Sequence, residues 1–339
     1  MINQVYQLIS PRTFSIKYKN ISLNNNSVIV RPLYLSLCHA DQRYYQGKRS
    51  AEILAKKLPC ALIHEACGEI VSDKSGTFSQ GQTVVMIPNQ PQTSFDEEFY
   101  ENYQKGSYFR SSGHDGFMSE LVELPLDRVV AYNNIPNKIA AITEFISVSV
   151  HAVSRLKHSS HSKKDRMVIW GDGSLAYVTA ITLRHEFPNA YITVVGKNEL
   201  KLSLFTFVNE THNVSFLPKN FRFDHAFECC GGEGSYYAID DIIKYIDSQG
   251  SLILMGVSEN KIAINTRDIL EKGLTLIGSS RSGRCDFKRT VEMLNDELIQ
   301  NRLLKIISFE GSVTSIDDIH KMFSVDLYTP FKTVFKWDI

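Results

Sequence analysis

"RMVIWGDGSLA", residues 166–176, runs from an apolar strand segment into two glycines and a small residue. The spacing is G-x-G-x-x-A, carried by Gly171, Gly173 and Ala176. In a turn of this kind the first glycine makes the tight bend and the second lets backbone approach a pyrophosphate. The small third residue lets the following helix pack on the strand. The helix N-terminus then offers free N–H groups and the positive end of its dipole to phosphates. A helix-compatible run does follow, as far as Phe187.

Outward from this turn, "AYITVVG" (190–196), "FDHAFEC" (223–229), "SLILMGV" (251–257) and "LTLIG" (274–278) read as further strands with helical segments between several of them. Strand-helix alternation specifies a parallel, doubly wound sheet. The expected class is α/β, with a Rossmann dinucleotide-binding domain over 141–278 that includes the basic, serine-rich connector "HAVSRLKHSSHSKKDR" (151–166). Residues 1–140 have a different texture. Short β-rich segments such as "NSVIVRPLYLSLC", "EACGEIVSD" and "GQTVVMIPN" are punctuated by turns, which suggests a small barrel-like domain. Residues 279–339 return to a mixed pattern ending in "PFKTVFKWDI", expected to pair back onto the first domain.

Dinucleotide sites for NAD normally carry an acid about twenty residues beyond the glycines, at the end of the second strand, to hold the ribose hydroxyls. Here that strand ends "TVVGKNELK": Gly196 stands in the acid's place, and Lys197 and Lys201 put positive charge where a 2′-phosphate would sit. The expected cofactor is NADP(H), although Glu199 close by allows the alternative of a solvated charged turn.

The rest of the composition narrows the function class. A chain of 339 residues is long for one core, so two domains are expected. Thirty-seven basic residues balance 37 acidic ones, which leaves no electrostatic footprint for nucleic acid or an anionic membrane. "MINQVYQLIS" lacks the features of a signal peptide, and no stretch has the apolar length of a membrane span, so a cytoplasmic protein is expected. The six cysteines, at 38, 60, 67, 229, 230 and 285, are too irregular for a disulfide framework and contain no C-x-x-C pair.

Reactive groups must then come from the first domain. "LPCALIHEACGEIV" (58–71) sets His64 and Glu65 inside an apolar run. Burying an unpaired carboxylate costs several kcal/mol, so the pair needs a partner, a hydrogen-bond network or a metal. Cys38 follows an apolar strand, and Glu144 lies at the hinge into the second domain. Taken singly, each is more often structural.

Together these stretches resemble the zinc-dependent medium-chain dehydrogenase/reductase family over essentially the whole chain. "CHADQRYY" resembles its cysteine segment, "IHEACGEIV" its His-Glu strand, "HDGFMSE" its acidic turn, and "TEFISVSVHA" the glutamate before its linking helix, with Phe145 and Ile146 replacing Pro-Leu. "FDHAFECCGG" and "LTLIGSSRSG" complete the order. The resemblance implies a GroES-like catalytic domain beside the Rossmann domain, and a catalytic Zn²⁺ held by Cys38, His64, Glu65 and Glu144, with either glutamate exchangeable for water. It also implies a homodimer.

"RPLYLSLCHADQRYYQG", "SYFRSSGHDGFM" and "NTRDILEKGLTLIGSSRSG" resemble more closely a bacterial branch that reduces a ketose phosphate to a polyol phosphate for teichoic-acid and capsule synthesis. The polyol phosphate then passes to a cytidylyltransferase. Arg43 stands where relatives often have His; with Arg49, Arg110 and Arg281 it is a candidate for the substrate phosphate, since arginine matches phosphate as a two-pronged fork. Ala40 replaces the Ser or Thr that starts a proton relay in relatives, leaving Tyr44, Tyr45 or a water at Glu65. The four-cysteine lobe of many relatives falls in "IPNQPQTSFDEEFYENY" (87–103) and beyond, which has no cysteine, so a single metal is expected. The rival readings are an NAD-linked polyol dehydrogenase for unphosphorylated sugars and a non-enzymatic NADPH-binding sensor.

Overall fold

The computed structural model describes residues 1–22, 24–92 and 100–339. The chain forms two compact units, Met1–Ser147 with Ser282–Ile339, and Val148–Arg281. The crossings fall a few residues beyond those expected at 140 and 278.

The second unit is a six-stranded sheet. In chain order its strands are Arg166–Trp170, Tyr191–Gly196, Glu210–Asn213, Phe223–Glu228, Ile246–Leu254 and Thr275–Gly278. They lie side by side in the order third, second, first, fourth, fifth, sixth, and every neighbouring pair is parallel. Sheets of this kind are covered on both faces, which is why the central strands read as unbroken apolar runs. The third strand, "ETHN", is an addition to the sequence reading: a polar, largely exposed edge strand gives no hydrophobic signal. Helix Ser174–Glu186 starts directly after Gly173 and packs through the fully buried Ala176. Gly171 has φ +133°, and a Cβ there would lie 3.0 Å from the Cys229 carbonyl oxygen, so the bend requires glycine.

In the first unit a seven-stranded sheet runs Val129–Ala131, Thr83–Met86, Glu65–Asp73, Ser27–Ser36, Lys332–Trp337, Ile307–Val313, and Val122–Pro125 also pairs with Ser27–Ser36. A three-stranded sheet of Thr13–Asn20, Ile2–Ser10 and Cys60–Ala61 adjoins one contiguous core with it. The C-terminal strand does pair back, antiparallel to Ser27–Ser36. The register matters: Ser36 is opposite Glu65 on one side and Val334 on the other. Cys38, two residues past Ser36, and Lys332, two before Val334, are thereby brought to the same end of the sheet as Glu65.

Candidate active site

Cys38 caps the helix His39–Tyr45, and its N–H donates to Asp41 Oδ2 at 3.1 Å. The other oxygen of Asp41 accepts from the Ile63 N–H at 3.0 Å. One buried carboxylate thus ties the cysteine turn to the residue before His64. Ile63 is held at φ +65°, a conformation that costs a β-branched residue about 1 kcal/mol or more. The result is a cluster in which donor atoms of Cys38, His64 and Glu65 all lie within 4.8 Å of one another.

Glu65 is completely buried, and its Oε1 accepts from Lys332 Nζ at 2.8 Å. Lys332 also donates to the Leu37 carbonyl at 2.7 Å, and its ammonium lies 4.7 Å from the centre of the Phe145 ring. Glu65 Oε2 has no hydrogen-bond partner. A buried carboxylate oxygen left open beside a thiol and an imidazole is the donor set that Zn²⁺ accepts. His64 Nδ1 lies 2.9 Å from Ser111 Oγ and 3.7 Å from Asp41 Oδ1. Burial works to lower the basicity of this imidazole, but Asp41 and then Cys38 outweigh it and raise it well above the ordinary value.

Glu144, expected as a fourth ligand, does not join the group. It is buried on the first turn of helix Thr143–Ser159, and its carboxyl is pushed up to about 7, first by burial. Glu65 and Asp41 push in the same direction, while His64 and Lys332 oppose them. Two buried carboxylates repel each other, and Lys332 bonds only to Glu65 of the two.

The arginine candidates separate. Arg43 lies one helical turn beyond His39 on the same face, and Arg49 sits 5.2 Å over the Tyr44 ring. Their charges act on one another: Arg43 is lowered by burial and then by Arg49, and His39 by burial and then by Arg43, Lys48 and Arg49, against Asp326. Burial lowers the basicity of Arg110, and its guanidinium donates to the carbonyls of Asp115 (3.3 Å) and Glu123 (2.9 Å), tying it to the loop. Arg281 is exposed in the second unit. Of the relay candidates, Tyr45 is engaged elsewhere, bonded to His320 Nδ1 at 2.8 Å and stacked on Phe323, whereas Tyr44 Oη reaches Ser112 Oγ at 3.4 Å. Part of the cysteine-free lobe segment, 93–99, lies outside the described residues.

At the cofactor turn, Gly171, Gly173 and Ala176 occupy the strand-turn-helix junction, and Gly196 ends the neighbouring strand with Lys197 and Lys201 after it. The sequence reading missed Asp172. Its Oδ2 accepts from the backbone N–H groups of Lys197 (2.7 Å) and Asn198 (2.8 Å). A Cβ on Gly196 would lie 2.6 Å from that of Asp172, so the side chain from the glycine turn fills the space where an acid after the second strand would begin.

Residues 24–136 match the alcohol dehydrogenase GroES-like domain, which with the doubly wound unit defines a medium-chain dehydrogenase/reductase. The chain is 53% identical to the ribulose-5-phosphate reductase of Streptococcus pneumoniae, covering 100% of this chain and 98% of that one. It is 49% identical to ribulose-5-phosphate reductase 1 of Staphylococcus aureus, covering 99% of each. The solved structure of S. aureus TarJ in complex with NADPH superposes with a TM-score of 0.89 at 44% identity over all of both chains. The chain belongs to the ribulose-5-phosphate reductases of the medium-chain dehydrogenase/reductase family. Among the described residues, no helix is long and apolar enough to cross a membrane.

Proposed function

We propose that this protein reduces D-ribulose 5-phosphate to D-ribitol 5-phosphate with NADPH, supplying CDP-ribitol for teichoic-acid or capsule synthesis. The observation that carries the reading is the group of half-buried Cys38 with buried His64 and Glu65, one carboxylate oxygen unpartnered, in a chain 53% identical over its whole length to a ribulose-5-phosphate reductase.

When bound, Zn²⁺ supplies Lewis-acid polarisation of a ketone and the nicotinamide supplies hydride. The chain's own residues do the rest. Cys38, His64 and Glu65 would hold the ion, Lys332 fixes one oxygen of Glu65 and leaves the other without a hydrogen-bond partner, and Asp41 locks the cysteine turn to the histidine strand. Glu144 lies buried next to these charged groups, and a bound ion would favour its ionised form.

For the substrate phosphate we assign Arg43 and Arg49, with Lys48 adding to the positive field and His39, whose basicity burial and these cations lower, offering a neutral imidazole. Phosphate relieves the mutual repulsion of these cations, and each guanidinium can offer it two N–H groups. Lys197 and Lys201 receive the 2′-phosphate of NADPH, on a loop braced by Asp172. The reading extends to one zinc per chain, a homodimer and a ribitol-5-phosphate cytidylyltransferase that consumes the product. Analysis of the product separates this assignment from near alternatives. NADPH and D-ribulose 5-phosphate should yield ribitol 5-phosphate by NMR, and arabinitol 5-phosphate or unchanged ketose would refute it.

A further inference from the structure

Resting on the metal-centre reading above, we propose that Ser111 is a positioning residue for His64, holding the imidazole by Nδ1 and leaving Nε2 as the metal-binding nitrogen. A ligating histidine needs its second nitrogen fixed, and a carboxylate commonly does this. Here the facing carboxylate acts on the imidazole chiefly through its charge. Asp41 Oδ1 stands 3.7 Å from Nδ1, beyond hydrogen-bond range, and the two oxygens of Asp41 already accept from the backbone of Ile63 and Cys38. The Ser111 hydroxyl, at 2.9 Å, is within that range, and it would accept the Nδ1–H of a ring that ligates through Nε2.

The surrounding chain is built to keep that hydroxyl in place. Ser111 is buried and held at φ +65°, a region that residues other than Gly, Asn and Asp seldom enter. Its own N–H donates to the His114 carbonyl at 2.9 Å, and Lys57 Nζ donates to the Ser112 carbonyl at 3.0 Å. On the other side the His64 ring meets Phe109 edge-on, with centres 5.2 Å apart. The loop therefore sustains local backbone strain at the point where a side-chain oxygen meets the His64 imidazole.

The strained backbone supplies the means to separate positioning from folding. Ser111→Gly removes the hydroxyl while relieving the left-handed backbone, whereas Ser111→Ala removes the hydroxyl alone. Both variants, with the parent, are titrated with Zn²⁺ against a chromogenic chelator and with Co²⁺ by visible absorption, and melted by circular dichroism. Both should bind Zn²⁺ about tenfold or more weakly than the parent and shift the Co²⁺ bands. The glycine variant should melt no lower than the alanine variant. Parent-like zinc affinity and an unchanged Co²⁺ spectrum in both would overturn the role of Ser111 while leaving the metal centre standing. A parent chain that binds neither ion would overturn the metal-centre reading and this inference with it.

Discussion

Lys332 Nζ lies 2.8 Å from Glu65 Oε1, and both side chains are almost wholly shielded from water. Their separation of 267 residues along the chain is bridged by the pairing of the C-terminal strand with Ser27–Ser36. Removing one member of a buried ion pair leaves the other uncompensated, at a cost of about 3–5 kcal/mol. Lys332→Met should therefore lower the urea midpoint of the metal-free protein strongly. The double variant with Glu65→Gln should recover part of the loss, and strictly additive losses would show that the pair is not coupled.

Metal removal should separate chemistry from cofactor binding. A chelator should abolish reductase turnover while the quenching of protein fluorescence by NADPH stays at the same midpoint, and added Zn²⁺ should restore activity. Cys38→Ser should reproduce the chelated state. Full turnover in protein shown by elemental analysis to lack metal would contradict the assignment of Cys38, His64 and Glu65.

Lys197 and Lys201 flank an exposed turn, so each contact with the 2′-phosphate is worth only about 1 kcal/mol, or roughly fivefold in affinity. Alanine at either position should raise KM for NADPH by that factor and leave KM for NADH unchanged. Gly196→Asp should do more, because its Cβ collides with Asp172 and its charge opposes the phosphate. Equal effects on the two cofactors would place the lysines outside the recognition of NADPH.

How much of this could be read from the sequence follows from how local each signal is. The glycine turn and the buried parallel strands announce themselves because their chemistry is contiguous, whereas "ETHN" is a polar edge strand with no period to detect. Cys38, His64 and Glu65 were legible as ionisable or soft groups in apolar surroundings. Glu144 was legible too, but the distances that separate it from the Cys38–His64–Glu65 cluster were not. Lys332, Ser111 and Asp172 carried no pattern: each acts through a register or a loop crossing that only tertiary structure creates. The two carbonyl contacts of Arg110 were equally invisible, because they join segments that meet only in the folded chain.

Phosphate recognition should therefore fall on Arg43 and not on Arg110. Losing a charge-assisted, two-pronged contact costs about 1.5–3 kcal/mol, so Arg43→Met should raise KM for D-ribulose 5-phosphate about tenfold or more. Slow turnover of unphosphorylated D-ribulose should be unaffected. Arg110→Met should instead lower the melting temperature. A parallel loss on both sugars in the Arg43 variant would remove the phosphate role.

His225 gives a pH dependence remote from the site. It is fully buried with Nε2 bonded to the Lys163 carbonyl and Nδ1 accepting from the Ser251 N–H, which fits only the neutral ring. Burial, and then His161, lower its pKa to about 4. The unfolded chain takes up this proton near pH 6.5 and the folded chain only near 4, so the contribution is complete above 6.5 and is lost as pH falls between them. The loss amounts to about 3 kcal/mol. His225→Asn should flatten that part of the stability profile measured by urea titration, and an unaltered slope would assign it to other groups.

The most direct test of the whole account follows NADPH absorbance after adding D-ribulose 5-phosphate to the zinc-loaded protein, with D-ribulose, D-fructose and NADH in parallel. The account predicts rapid oxidation of NADPH by the phosphorylated pentulose, and slow or no oxidation in the other three arms. Zinc-loaded, folded protein that leaves NADPH unoxidised with D-ribulose 5-phosphate, or that turns over the free sugars equally well, would contradict it.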